Sequence, residues 1–265
     1  MIQELVFQQS YYWLPLVGFL IGLLATIVGG GGASFFPPVL ILIFHIQPQV
    51  AVATSLAAAV PVGLVGTASH YRNGNVNFPI GMAFGLAGIA GALLGAGISS
   101  LLRPEVLKTA FGVYAILLAG LMLLSNKPLA EGAEERQETY RHLSGGRKAS
   151  ISLFGIISGG FAGLFGTSGT APAMAGLFIL KLPLKLVIGT SVMIVLFNAI
   201  SGLGSHLLLG QVDPVLTILL GTGAALGAFG GPIVLNKINV KKAEKKVKGL
   251  FILITLLVGV LMIAF

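Results

Sequence analysis

Eight apolar segments dominate this sequence and restrict the folds that it can adopt. They cover about residues 14–44, 50–70, 78–102, 106–124, 151–180, 186–209, 214–236 and 248–264. Only 9% of the residues are charged and the mean hydropathy is +0.98, whereas soluble domains carry about 25% charged residues. The apolar runs are continuous rather than alternating, so the sequence predicts an all-α polytopic membrane protein and not a transmembrane β-barrel.

Two of these segments are interrupted by residues that disfavour a helix interior. The first contains GGGGASFFPPVL, at 29–40, and the second contains FGTSGTAPAM, at 165–174. Glycine and proline both weaken helices. Irregular backbone at membrane depth is tolerated only where it is buried in protein or lines a wet cavity, so we expect both breaks to lie at the functional centre.

The chain also repeats itself. Pro37 corresponds to Pro172 at a spacing of 135 residues, and the pair Ser69-His70 corresponds to Ser205-His206 at a spacing of 136. We therefore expect a first repeat at 1–125, a polar linker at 126–150 and a second repeat at 151–265. Duplicated halves are typical of transporters, with the substrate site at the interface of the repeats.

The topology of the halves depends on the two interrupted segments. If each is one broken span, the halves are parallel and the 16 Lys and Arg residues divide 10 to 6 across the membrane. If each is a re-entrant hairpin followed by three spans, the repeats are inverted and only Arg103 and Lys108 lie on the side opposite the other 14. Cytoplasmic loops carry the Lys and Arg excess, which favours inverted repeats with the linker and the basic stretch 237–248 in the cytoplasm. The predicted helices Leu14–Val28 and Phe35–Phe44, about 22 and 15 Å long, are also short for a span.

The breaks suggest an anion site. Each is expected to place a helix N-terminus near the midplane, with Ser34 able to cap the first returning helix and Pro37 or Pro172 near each helix start. Such a terminus presents unpaired N–H groups and the positive end of the helix dipole. The continuous spans contain almost no acidic residues, which argues against a cation as substrate. The glycines at 85–95 and 221–227 are expected to be packing surfaces.

The candidate substrate-binding residues are Gly30, Gly31, Gly32, Ala33, Ser34, Thr54, Ser55, Gly166, Thr167, Ser168, Gly169, Thr170, Thr190, Ser191 and Asn198. Thr54-Ser55 and Thr190-Ser191 start long helices and could equally bond to their own carbonyls. Asn198 lies in the middle of a span and needs a partner helix or the substrate to satisfy its amide. His70 and His206 are candidates for proton transfer or gating, although capping of a helix end is the commoner role.

The glycine-rich break that ends in proline, the Thr-Ser opening of the next helix, the loop Arg72-Asn73-Gly74-Asn75-Val76 and the repetition of this pattern resemble the TauE/SafE sulfite exporter family. The likeness covers about residues 14–264. It implies a multi-pass permease for sulfur oxyanions or organosulfonates, and for sites it points to the two breaks and the Thr-Ser pairs.

The sequence thus predicts a secondary transporter in the cell membrane that moves a small sulfur-containing anion outward by alternating access, without a cofactor. No P-loop occurs, so coupling would be to protons, sodium or the gradient of the substrate itself. An anion channel, or an uptake permease for sulfate or thiosulfate, is the alternative, and a membrane-embedded enzyme or a partner-dependent subunit is a further one. The net charge of +8 reflects the positive-inside rule, so we expect no nucleic-acid partner.

Overall fold

The computed structural model describes residues 9–29, 34–124, 144–167, 169–208, 212–237 and 240–264. These ranges form ten α-helices and no strand, preceded by one 3-10 turn at Gln9–Trp13. The first five helices are α1 (Leu14–Val28), α2 (Phe36–Leu42), α3 (Pro48–Arg72), α4 (Phe78–Leu101) and α5 (Pro104–Leu124). The other five are α6 (Gly145–Phe165), α7 (Thr170–Ile179), α8 (Leu184–Leu208), α9 (Pro214–Lys237) and α10 (Val240–Ala264).

Seven of the described helical stretches are long and apolar enough to cross a membrane. They comprise Tyr11–Val28, which joins α1 to the preceding turn, and the helices α3, α4, α5, α6, α8 and α9. The prediction of an all-α polytopic membrane protein is confirmed. The long polar segment between the halves is shorter than expected, because α6 begins at Gly145 and its first six residues belong to the predicted linker.

Both interrupted segments break where the sequence predicted. α1 has the predicted bounds and ends on Gly29 at φ 83°, and α6 ends on Gly166 at φ 65°. Both glycines adopt the left-handed conformation that side chains disfavour. Each donates its N–H to the carbonyl four residues earlier and so closes the end of its helix.

The predicted cap of the returning helix in the first half is wrong. α2 begins at Phe36, and its N-cap is Phe35, without a side-chain cap bond. An N-cap side chain accepts from the N–H of the second or third helical residue. In α2 these positions are Pro37 and Pro38, which have no N–H to donate. Ser34 lies in the turn before this helix.

The central helices α3 and α8 run antiparallel. Gly63 of α3 lies against Leu196 of α8, whereas Leu56 lies against Gly202, so the facing residue numbers change in opposite directions. The same is true of α5 and α10. The core of the molecule is therefore a contact between equivalent helices of the two halves.

The outer helices define which way each segment crosses. Gly18 of α1 lies against Ala224 of α9, and Thr26 meets Gly231, so these helices are parallel, and α9 is parallel to α3 in the same way. The helices α4, α6 and α8 form the equivalent parallel group. Since α1 and α3 point in the same direction, the segment with α2 returns the chain to the side where α1 begins. α7 does the same between α6 and α8.

The lengths of the hairpin arms differ from expectation. α6 has 21 residues, or about 32 Å at 1.5 Å per residue, and α1 with its preceding turn also reaches membrane length. Only the returning arms, α2 with 7 residues and α7 with 10 residues, are too short to cross. In each half a full-length arm is followed by a short returning helix.

Glycines set the spacing of the closest helix pairs. A side chain at Gly91 of α4 would overlap the carbonyl oxygen of Ile156 on α6, and one at Gly159 would overlap that of Gly88. Such contacts between small residues drive helix association in membranes, where no hydrophobic force separates protein from lipid. The expectation that the glycines at 85–95 and 221–227 form packing surfaces is confirmed by these contacts.

Two glycines of α4 provide a matched test of this packing. We expect Gly91→Ala to destabilise the protein by about 1–3 kcal/mol, because the added methyl group forces α4 and α6 apart. Gly97→Ala, on the same helix with nothing within 4 Å, should leave stability unchanged or slightly raised. Thermal unfolding of the detergent-solubilised variants measures both, and equal melting temperatures would contradict the packing role of Gly91.

Candidate functional site

Each break lies against the long central helix of the other half. The carbonyl of Gly29 accepts a hydrogen bond of 2.7 Å from the hydroxyl of Ser191, at the start of α8. The Cα of Gly166 packs directly on the backbone of Val52, at the start of α3. The helix breaks therefore form part of the interface between the two halves rather than separate loops.

The two histidines satisfy carbonyl groups that the breaks leave without a helical partner. The Nε2 atom of His70 lies 2.9 Å from the carbonyl oxygen of Thr26, and that of His206 lies 3.1 Å from the carbonyl of Gly163. A carbonyl only accepts, so Nε2 carries the proton in both residues. Thr26 and Gly163 belong to the last turns of α1 and α6, where carbonyls have no intrahelical partner.

The histidines thus cap helix ends, but not those of the helices that carry them. Both side chains are fully buried, and each ties the long helix of its half to the arm before the break. Their position supports the commoner structural role over proton transfer. A function in proton transfer or gating stays a prediction.

The threonines of the two Thr-Ser pairs hold the opposite half. The hydroxyl of Thr190 accepts from the backbone N–H of Asn77 at 2.9 Å, and the hydroxyl of Thr54 accepts from that of Asp213 at 3.1 Å. Asn77 and Asp213 in turn cap the first turns of α4 and α9. These reciprocal bonds mean that both threonines position helices of the other half.

The serines of these pairs differ from each other. Ser191 donates to the carbonyl of Gly29, with its own Ile188 carbonyl also at 2.8 Å. Ser55 is equally buried, but its hydroxyl has no hydrogen-bond partner within the described part of the chain. The symmetry of the backbone is therefore not matched by symmetry of the polar contacts.

A buried polar network ties the second break to the middle of the membrane. Asn198 donates from Nδ2 to the hydroxyl of Ser158 at 2.8 Å, and Ser158 donates to the carbonyl of Gly169 at 2.7 Å. Gly169 is the N-cap of α7. Because that carbonyl can only accept, the direction of both bonds and the orientation of the Asn198 amide are fixed.

This network defines the depth of the second break. Asn198 lies 14 residues into the 25-residue helix α8, and Ser158 lies 13 residues into the 21-residue helix α6. Both are near the midpoints of membrane-length helices. The N-terminus of α7, which is bonded to Ser158, therefore begins near mid-depth.

The same place in the first half is apolar. By the 136- and 137-residue correspondence of the repeats, the counterparts of Asn198 and Ser158 are Val62 and Ile21, and α2 has two prolines in its first turn. The N-termini of the two short helices are thus chemically different, and only that of α7 combines a polar tether with several backbone donors.

The N-terminus of α7 is suited to an anion. Its first turn contains no acidic residue, and the backbone N–H groups of Thr170 and Ala171 have no intrahelical partner there. Thr167 and Thr170 add buried hydroxyls, 2% and 8% exposed. No group of three or more His, Cys, Asp or Glu that could hold a metal occurs in the described ranges.

A narrow cleft adjoins this break. Val52 and Phe165, which flank Gly166, line it together with Phe111 and Lys108, the one charged residue of the lining. Phe165 packs edge-on against Phe111 with ring centroids 5.7 Å apart. The cleft is too narrow to admit a water molecule, so this conformation is closed on that side.

Some of the predicted site residues lie outside the described residues. These are Gly30, Gly31, Gly32, Ala33 and Ser168. Sequence reasoning missed Ser158, which bridges the break to Asn198. A comparison of the repeats contains the signal for it, because Ser158 is a hydroxyl where the first half has the apolar Ile21.

The fold and the site define a polytopic membrane transporter with discontinuous helices, and the comparisons with known proteins agree. The family model described as "Sulfite exporter TauE/SafE" matches residues 14–262, and the chain belongs to this family. It is 33% identical over 217 residues to the probable membrane transporter protein YdhB of Bacillus subtilis, covering 82% of this chain and 86% of the relative.

Other relatives carry similar names. The probable membrane transporter protein YunE of Bacillus subtilis is 27% identical over 250 residues, which are 88% of this chain and 91% of the relative. The probable membrane transporter protein MJ0441 of Methanocaldococcus jannaschii is 24% identical over 200 residues, 73% and 71% of the two chains. None of these names specifies a substrate.

A double-mutant cycle tests the network at the second break. We expect Ser158→Ala and Asn198→Ala each to destabilise the protein, and the double variant to lose less than the sum of the single effects. The coupling should be about 0.6–1.7 kcal/mol, the range for hydrogen bonds between membrane helices. Unfolding in a denaturing detergent titration measures it, and additive losses would show that the two side chains are not coupled.

Proposed function

We propose that this protein is a secondary transporter that exports a small sulfur-containing anion, such as sulfite or an organosulfonate. The observation that carries the proposal is the N-terminus of α7, which begins near mid-depth and is tethered through Ser158 to Asn198. Half-helix N-termini of this kind bind anionic groups in other transporters. The family description adds the sulfur chemistry.

Electrostatics supports an anion over a cation. The positive end of the α7 dipole and its N–H groups favour negative charge. The described acidic residues Glu105 and Asp213 stand at the starts of α5 and α9 and not beside the break. Lys108 lines the cleft that adjoins it, where it would attract an anion toward the site.

We further propose that the two halves are inverted repeats that rock against each other. The antiparallel packing of α3 on α8 and the reciprocal bonds of Thr54 and Thr190 support this arrangement. In an inverted arrangement both breaks face the interface between halves, so movement along that interface changes the side from which the site is reached. The Lys and Arg excess places the linker and the basic stretch 237–248 in the cytoplasm, in a cell or inner membrane.

Export needs no co-ion on energetic grounds. An anion that leaves a cell with an inside-negative potential gains about 2.3 kcal/mol per charge per 100 mV. Uptake of sulfate or thiosulfate would have to be coupled to protons or sodium. The direction of transport should therefore appear as a dependence on membrane potential alone.

Proteoliposomes test the proposed substrate class. We expect purified protein to accumulate radiolabelled sulfite, thiosulfate or sulfoacetate when the lumen is positive, with stimulation by unlabelled substrate on the far side. Movement of an inorganic cation in place of all three anions would contradict the proposal. Flux without such trans-stimulation would indicate the channel alternative.

Thr170 provides a variant for the same assay. We expect Thr170→Ala to raise KM about 3–10-fold, since loss of one hydrogen bond to a charged group costs about 1.5 kcal/mol or less where others remain. Thr222→Ala is the matched control, because the Thr222 hydroxyl is exposed and bonds to its own helix at Ile218. If both variants transport like the original protein, α7 does not contact the substrate.

A further inference from the structure

Ser55 and Ser191 are equivalent residues with different surroundings. Each follows the threonine that holds the opposite half, and each is fully buried. Ser191 donates to the carbonyl of Gly29 at 2.7 Å and so closes the first break. Ser55 has no hydrogen-bond partner within the residues that the structure describes.

A buried hydroxyl without a partner is unfavourable, and more so in a membrane protein that offers no bulk water. Serines in helices usually bond to a carbonyl three or four residues earlier, as Ser201 does to Phe197. Ser55 does not make this bond, so its hydroxyl is not satisfied by its own helix. A group of this kind in a native structure calls for an explanation.

The position of Ser55 supplies that explanation. In the second half, Ile188 and Ser191, three residues apart on one face of α8, both contact the first break at Gly29. In the first half, Val52 contacts the second break at Gly166, and Ser55 lies three residues further on the same face of α3. The same geometry that brings Ser191 to the first break brings Ser55 to the second.

We propose that the two breaks have different functions, and that Ser55 is a substrate-binding residue of the second break. The first break is sealed by Ser191 and serves the structure. At the second, the unpaired Ser55 hydroxyl donates to an oxygen of a small oxyanion whose other oxygens face the N-terminus of α7. This inference rests on the proposed function and assigns the binding site to one of the two breaks.

The assignment has a mechanistic consequence. Ser55 lies on α3 in the first half, whereas α7 belongs to the second half. The anion would then be held between the two halves, and its full set of donors would be assembled only when they close on it. Binding and the movement of the halves would be coupled through this one hydroxyl.

Alanine variants of the two serines test the inference in proteoliposomes with sulfite, thiosulfate and sulfoacetate. We expect Ser55→Ala to raise KM for the transported anion about tenfold, as expected for one hydrogen bond to a charged group, with an unchanged melting temperature. Ser191→Ala should lower the melting temperature, because it leaves the Gly29 carbonyl unsatisfied, and should keep KM near the original value. Ser55→Thr, which retains the hydroxyl, should restore KM.

The outcomes separate this inference from the proposed function. If the unmodified protein moves none of the three anions, the proposed function fails, and the assignment of Ser55 fails with it. If it transports one of them but Ser55→Ala leaves KM unchanged, or if both alanine variants change KM equally, only the assignment of Ser55 is overturned.

Chemical labelling gives a second measurement that does not depend on the alanine variant. The protein contains no cysteine, so Ser55→Cys and Ser191→Cys each introduce a single thiol. We expect sulfoacetate to slow the reaction of N-ethylmaleimide with Cys at 55 and to have no effect at 191. Labelling at 55 that is insensitive to sulfoacetate, in protein that transports sulfoacetate, would contradict the proposal.

Discussion

The structure depends on one constraint, which is that backbone groups at membrane depth must find partners within the protein. Interrupting a helix frees carbonyls at one end and N–H groups at the other. Here the carbonyls freed at the ends of α1 and α6 are taken by His70 and His206. The N–H groups at the start of α7 are the part of this set that can serve a ligand. The repeated histidines, threonines and glycines all follow from the need to satisfy two broken helices in lipid.

The two halves share a backbone plan but not a polar interior. Thr54 and Thr190 make equivalent bonds to the opposite half, so the scaffold is nearly two-fold symmetric. Asn198 and Ser158 have apolar counterparts in Val62 and Ile21. An asymmetric site within a symmetric frame suits a transporter, because the frame allows two opposite tilts of similar energy while the substrate binds in one place.

Much of the fold could be predicted from the sequence, for identifiable reasons. α1 has its predicted bounds because an apolar run ends in four glycines, and the two breaks were placed by the coincidence of glycine, hydroxyl and proline. The cap at Ser34 was wrong because Pro37 and Pro38 occupy the positions whose N–H groups a cap needs. The length of α6 was underestimated, since its first turn is polar and reads as linker.

The site was less predictable than the fold. The need of Asn198 for a partner follows from its position in an apolar span, but its partner, Ser158, is 40 residues away in sequence. A single sequence contains no information on that distance. The different surroundings of Ser55 and Ser191 could not be predicted either, because both pairs read identically as Thr-Ser.

The most direct test of a single anion site at the N-terminus of α7 is a structure of the protein crystallised with selenite, a heavier analogue of sulfite with a strong anomalous signal. We predict one anomalous peak within the membrane-embedded region, at hydrogen-bond distance from the backbone of Thr170 and from Ser55. A peak of equal height beside Phe36 at the first break, or peaks confined to surface lysines, would contradict it.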